Sequence, residues 1–455
     1  MGLGLRTSRN ARRCLRQPVA WLSATLSLCI PFLAPAQTYD VRVISREGLY
    51  NRDPVLSETG LAAWMYFNTN INNSAQSHIA VLDNGELRNI TEEMTGLFGA
   101  VKPQIHSNQV IFTASTRNIE GNITWTLMEV PTRDEGEQPE LTALYSGMEV
   151  GGAPPPSEED TAPIAEPGSE SINLNATTNE VRRHPSGEAE VWSWRQGDAD
   201  IQRVTHDRRN DFAPSFWGNL IAWQKERGWP FGWEIMALAG DIRMQLTTNF
   251  YYDIGPKVHG DKVVWYGWDG FDYEIYLFDA ATTTTVQITS NRYDDVAPMV
   301  WGDTIVWEGY TAVEADIFMW RDGVVTRISD NVNDDLYPRV WGNKVVWQGF
   351  DGDDFEIYLY EIGSDRKPIK LTSNTYDDTN PDIYDDLVVW MGYHDNWDAE
   401  IFYMDVRSIN DPANLKAVQL TNNEDDDRDP RTVARRIIWV SDNENDTSVM
   451  LAEPK

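Results

Sequence analysis

Short apolar runs, rather than helical periods, organise this chain. After residue 205 the order is a Pro-led run, then one such as "KVVW", one such as "EIYLY", and a threonine-ended run such as "IKLT". Gly, Asp and Asn separate them. Runs this short, rich in Val, Ile, Tyr and Trp and bounded by turn formers, predict β-strands. Their apolar residues are consecutive rather than alternating, so each strand is expected to be covered on both faces.

The set of four recurs. "YYDIGPKVHGDKVVWYGWDGFDYEIYLFD" begins at Tyr251, "YDDVAPMVWGDTIVWEGYTAVEADIFMW" at Tyr293 and "NDDLYPRVWGNKVVWQGFDGDDFEIYLYE" at Asn333. Pro214, Pro256, Pro298, Pro338, Pro381 and Pro430 mark successive copies 40 to 49 residues apart, and degenerate copies start near Asp53-Pro54 and Lys102-Pro103. Four-stranded units at this period predict an all-β fold, a single β-propeller whose blades cover one another. The last copy stops after its third run, while "YDVRVIS" (39–45) stands alone ahead of the first. This N-terminal strand is expected to complete the last blade and close the ring, leaving no free edge. Residues 131–187, rich in Pro, Glu, Gly and Ser and without apolar periodicity, read as an insertion within the propeller. If "EAEVWSWRQGDADIQRVT" (188–205) finishes the blade begun at Lys102, the blades number eight, the expected count. If it is a blade of its own, they number nine.

The copies share the pattern L-T-x-N-x-x-D-D-x-x-P-x-V-x-G-D-x-V-V-W followed by D-G-x-x-x-E-I-Y. This pattern resembles the TolB-like (WD40-like) propeller repeat, and most of all its variant in bacterial and archaeal surface proteins. The resemblance spans most of 38–452. It implies the propeller fold and says much less about activity.

The N-terminus changes the picture of where the propeller works. Arg6, Arg9, Arg12, Arg13 and Arg16 precede "VAWLSATLSLCIPFLAPA", and Ala34-Pro35-Ala36 offers a small-x-small cleavage site before Gln37. Residues 1–36 are therefore expected to be a cleaved signal peptide, by the Sec or twin-arginine route, with 37–455 in the periplasm or outside the cell. Cys14 and Cys29 both lie within the signal, so the exported chain has no disulfide. Across the whole chain 38 basic residues face 71 acidic ones, and cleavage takes the net charge from −33 to −38. Such a balance argues against nucleic acid and against anionic membranes, and no membrane insertion is expected after cleavage.

Candidate chemistry sits in two sets of acidic loops, before the first strand and between the second and third strands. In an up-and-down blade both emerge on one face. Asp269, Asp272 and Glu274, Asp334 and Asp335, and Asp351, Asp353, Asp354 and Glu356 are candidate metal ligands there. Hard oxygen donors on loops suit calcium. The competing reading is structural: Asp caps turns, and duplicated blades repeat it. Trp229, Trp233, Trp268, Phe350 and Trp397 fall in the same loops as candidate ligand-binding aromatics. A G-x-S-x-G elbow is absent, and an acidic array repeated around a ring singles out no unequal catalytic pair. The expected function is a binding or scaffold module for a protein or carbohydrate. The alternative is a secreted carbohydrate-active enzyme such as a polysaccharide lyase, for which His206 and His394 are the residues to test.

Overall fold

The computed structural model describes residues 37–46, 49–68, 76–92, 94, 97, 99–115, 189–207, 209–227, 232–329, 331–394, 398–409, 415–443 and 447–455. The expected signal peptide and the 131–187 insertion lie outside them. All regular structure among the described residues is β, in six four-stranded sheets and one of eight strands. Blade six shows the plan. Asp335–Trp341, Lys344–Phe350, Phe355–Glu361 and Ile369–Lys370 pair antiparallel in chain order. The fully apolar centres of the second and third strands are buried because a neighbouring blade covers each face. Val346, Ile357 and Leu359 share a core with Val388 and Trp390 of the next sheet.

Blades three to seven span 211–245, 253–287, 295–327, 335–370 and 378–419. The eight-stranded sheet resolves into two such units, 50–89 and 99–203, joined by one parallel bridge, Ser77↔Gly99. Ala189–Arg195 pairs with Gln109–Ser115, so these strands share the sheet begun at Gly99–His106. The last sheet holds 426–454, and Tyr39–Val43 is its outermost strand, in register Tyr39↔Pro454 to Val43↔Met450. Ile44, Leu56 and Trp64 form one core with Ile438, Val449 and Leu451. The two ends of the chain thus meet through apolar packing as well as backbone bonds.

Two features recur along the innermost strands, the first at all eight of those described and the second at most. The residue before each anchoring proline has positive φ: Asp53, Lys102, Ala213, Gly255, Ala297, Tyr337, Asn380 and Asp429. There the ladder skips, for example between Leu336 and Arg339, as a β-bulge. An αR backbone is excluded before proline, and the bulge supplies the alternative. Three residues before the same proline stands a buried acid that accepts a hydrogen bond from the second strand's indole. The pairs are Asp211–Trp223 (2.7 Å), Asp253–Trp265 (3.0 Å), Asp295–Trp307 (2.7 Å), Asp335–Trp347 (2.7 Å), Asp378–Trp390 (2.9 Å) and Asp427–Trp439 (3.0 Å). Asn51 serves Trp64 in the same way at 2.9 Å. Blade two has Ala100 and Phe112 at these positions, so donor and acceptor are lost together.

A cation follows the anchoring proline in blades four, six and eight, as Lys257, Arg339 and Arg431, and precedes it in blade two, as Lys102. Lys257 lies in the field of Lys102, Arg339 and Arg431, although these belong to blades two, six and eight. Burial and that repulsion push Lys257 down to about 8. Acids belong to the same region, since Arg339 lies 3.9 Å from Asp382 of blade seven.

Candidate functional site

The two acidic loop sets do lie side by side. Phe350 N–H donates to the Asp334 carbonyl at 2.8 Å, which ties the loop before the first strand to the end of the second. Within the Asp-Asp pairs, however, each carboxylate is committed to the fold. Asp335 faces Trp347 and Asn331 in the interior, and Asp334 accepts from the Ala315 N–H of blade five at 2.8 Å. Asp294, Asp377 and Asp426 do the same for Tyr273, Phe355 and Ala399. Asp334 and Asp335 therefore leave the set of metal ligands: the first staples neighbouring blades and the second caps an indole. Burial pushes Asp335 up to about 7.

The loops between second and third strands differ. In blade four Asp269 Oδ1 accepts from the N–H groups of Phe271 (2.8 Å) and Asp272 (3.3 Å), folding a tight turn around Gly270 at φ 113°. That turn brings Asp269, Asp272 and Glu274 together, with ligating oxygens within 4.8 Å of one another. Asp272 is 5% exposed and Glu274 fully buried. Burial, then the charges of Glu274, Asp269 and Asp294, push Asp272 up to about 6. Blade six repeats the turn, and Asp351, Asp354 and Glu356 converge within the same distance. There Lys370 Nζ lies 2.6 Å from Asp351 and 3.2 Å from Glu356. Its hydrogen bond, together with the Asp353 N–H, holds Asp351 down at about 2. Asp353 is exposed and stands outside the cluster.

The candidate aromatics that the structure describes are packed edge-on against their own blades. Trp268 meets Tyr273 at 5.2 Å and 75°, Phe350 meets Phe355 at 5.4 Å and 62°, and Trp233 meets Phe212 at 5.5 Å and 69°. The first two are cross-strand pairs, and all three rings are half-buried. Trp229 and Trp397 lie outside the described residues. His206 is exposed; His394 ends a strand opposite Asp398, and its side chain is outside what is described. Among the described residues no histidine joins either acidic cluster.

Two features were missed in the sequence. The first is a set of exposed apolar residues on loops of the same face. Phe271 (86% exposed), Val313 (81%) and Val332 (79%) stand out with Phe250, Tyr251 and Tyr293 on the loops of blades four to six. Its signal was faint, because each residue sits singly in a polar loop. The second is an aromatic collar on the opposite face, at the ends of the innermost strands. His106, Trp217, His259, Trp301, Trp341 and Tyr384 follow one another around the ring with centroids 3.6 to 4.1 Å apart. The recurring "VWG" and "VHG" carried that signal. Burial pushes His259 down to about 4, and its Nδ1 accepts from the Gly302 N–H at 2.9 Å. It is a neutral packing residue.

No family model and no curated protein matches the chain. Solved structures do match it. The computationally designed Ika8 protein aligns at 12% identity over 90% of this chain and 98% of that one, with a TM-score of 0.50. The β-propeller domain of the Trilobed protease from Pyrococcus furiosus aligns at 12% identity over 83% and 100%, with a TM-score of 0.47. TolB from Acinetobacter baumannii aligns at 14% identity over 59% and 76%, with a TM-score of 0.36. At such identities likeness speaks to the fold alone. The fold is a β-propeller, as the strand order already states.

Proposed function

We propose that this propeller is a binding module whose partner is a protein docking on the loop face of blades four to six. The observation that carries the reading is the exposed apolar set Phe271, Val313 and Val332, gathered on one face and rimmed by carboxylates such as Asp269 and Asp353. Monomeric surfaces expose large apolar residues singly, and a cluster inside a polar rim marks a docking surface. The acidic rim selects a partner with a basic border, and it repels acidic competitors. A protein is favoured over a sugar because the exposed set includes the aliphatic Val313 and Val332, which offer apolar area without a stacking face. The basic, apolar residues 1–36 support export and hence a partner outside the cytoplasm.

The test is site-specific photo-crosslinking in the producing cell, followed by identification of the adduct. A photo-reactive residue at Phe271 or Val313 is expected to give one discrete protein adduct, abolished by Val332→Asp. The same residue at Val324, exposed on a blade's outer strand, is expected to give none. Equal labelling at all three positions would remove the docking face. A glycan eluting the protein from an array would instead support the carbohydrate reading.

A further inference from the structure

The repeat places an acid at the second position of the third strand in most blades, and most of these acids have a cation. Arg203 pairs with Glu190 in blade two and Arg227 with Glu234 in blade three. Arg327 lies 2.6 Å from Asp316 in blade five, and Lys370 lies 3.2 Å from Glu356 in blade six. Several of these cations share one place, the fourth strand opposite the same residue of the third. Lys370 stands opposite Tyr358, Arg327 opposite Phe318 and Arg203 opposite Trp192. In blade four that place, opposite Tyr276, is held by Gln287.

Among the described residues no cation pairs with Asp269, Asp272 or Glu274 of blade four. Blade seven also has a Gln at that place, Gln419 opposite Phe402, but its Glu400 accepts from Thr421 Oγ1 and the Asn423 N–H. Both carboxylate oxygens of the buried Asp272 have no hydrogen-bond partner, and neither has Glu274 Oε2. Glu274 Oε1 accepts from the Asn291 N–H at 2.7 Å, which fixes the side chain with its other oxygen free. Three carboxylates within 4.8 Å repel strongly unless a positive charge lies among them. A buried charge without a partner is expensive, and a chain that supplies an ammonium or guanidinium in neighbouring repeats supplies none here.

We propose that Asp269, Asp272 and Glu274 bind a hard divalent cation, calcium, in the place that Lys370 fills in blade six. The donors are all oxygens, and Asp269 borders solvent, so water can complete the shell. Mg²⁺ demands a tighter octahedron and gives up its water reluctantly, which makes it the weaker occupant. The ion would lock the turn that carries exposed Phe271, but the site does not depend on that residue having a partner.

The experiment uses the purified full chain and Tb³⁺ as a luminescent calcium substitute, with Trp268 and Tyr273 beside the site as sensitisers. Wild type is expected to bind one Tb³⁺ that Ca²⁺ displaces and Mg²⁺ does not, and excess Ca²⁺ is expected to raise its melting temperature by about a few degrees over chelator. Gln287→Lys brings in the internal ammonium. It is expected to abolish the sensitised signal and to melt in chelator no lower than wild type. Asp272→Asn is expected to weaken binding at least tenfold. Lys370→Gln is expected to create a second ion site on Asp351, Asp354 and Glu356. Absence of sensitised emission in wild type would overturn the proposal, because Asp272 would then be relieved by a proton instead. So would a signal indifferent to both Gln287→Lys and Asp272→Asn, which would mark diffuse binding to an acidic surface.

Discussion

Asp335 illustrates how a single carboxylate can look catalytic or metal-binding and be neither. It accepts from Trp347 Nε1 at 2.7 Å and from Asn331 Nδ2 at 3.0 Å, within a blade core. Asp335→Ala leaves both donors buried without an acceptor and is expected to cost about 1–3 kcal/mol. Asp335→Asn keeps the acceptor oxygen, as Asn51 does for Trp64, and is expected to cost under about 1 kcal/mol. Equilibrium denaturation of the two variants checks this. If Asn proves as harmful as Ala, the charge itself is what the site needs. The repeat glycine belongs to the same unit: a Cβ on Gly349 would lie 2.3 Å from Asp335 Oδ1.

At the scale of elements, the strand Tyr39–Val43 is mostly exposed, so its contribution is not apolar burial. It covers the backbone edge of Thr447–Pro454, and Ile44 beyond it enters the shared core. Deleting 37–46 is expected to lower the melting temperature by about several degrees and to promote aggregation through the bared edge. An unchanged melting curve and a monomeric elution profile would refute it. The connection 116–188 is a contrasting case. Ser115 and Ala189 face each other across the ladder, so the two ends of the connection are already adjacent. Removing 134–170 from it is expected to leave the melting temperature within about a degree of wild type, since loop length enters closure entropy only logarithmically.

Across the whole molecule the buried acids set the pH response. Burial holds Asp211, Asp295, Asp335 and Asp378 at about 7 and Asp253 at about 6. In the unfolded chain they titrate near about 3.9. Between these values the folded state binds more protons, so stability falls as pH rises from about 4 to about 7. Asp351, held at about 2 by Lys370, acts in the opposite sense and loses its contribution below about 4. Melting at constant ionic strength in chelator is therefore expected to be highest near pH 4 and lower at pH 8 by several degrees. A flat profile, or a higher value at pH 8, would show that the buried carboxylates are solvated.

By itself the sequence determined the repeat, its four strands, the pairing of the chain's two ends and the grouping of the acidic loops on one face. Those follow from local rules: apolar runs make strands, Gly and Asp make turns, and a fixed period stacks like on like. It also named Asp269, Asp272 and Glu274, because the D-G turn returns its two acids to the start of the next strand. Only the tertiary structure decided what each acid does. Asp334 and Asp335 are neighbours in the chain, yet one reaches across to blade five and the other turns inward to Trp347. Lys370 and Asp351 are 19 residues apart and meet only when the fourth strand is laid beside the third. Neutralisation, burial and exposure are properties of what packs alongside, so Gln287 in the place of Lys370 reads as an ordinary polar change until the blades are superimposed. The aromatic collar escaped for the same reason: its members lie a blade apart in sequence, and only the packing of one blade on the next brings them together.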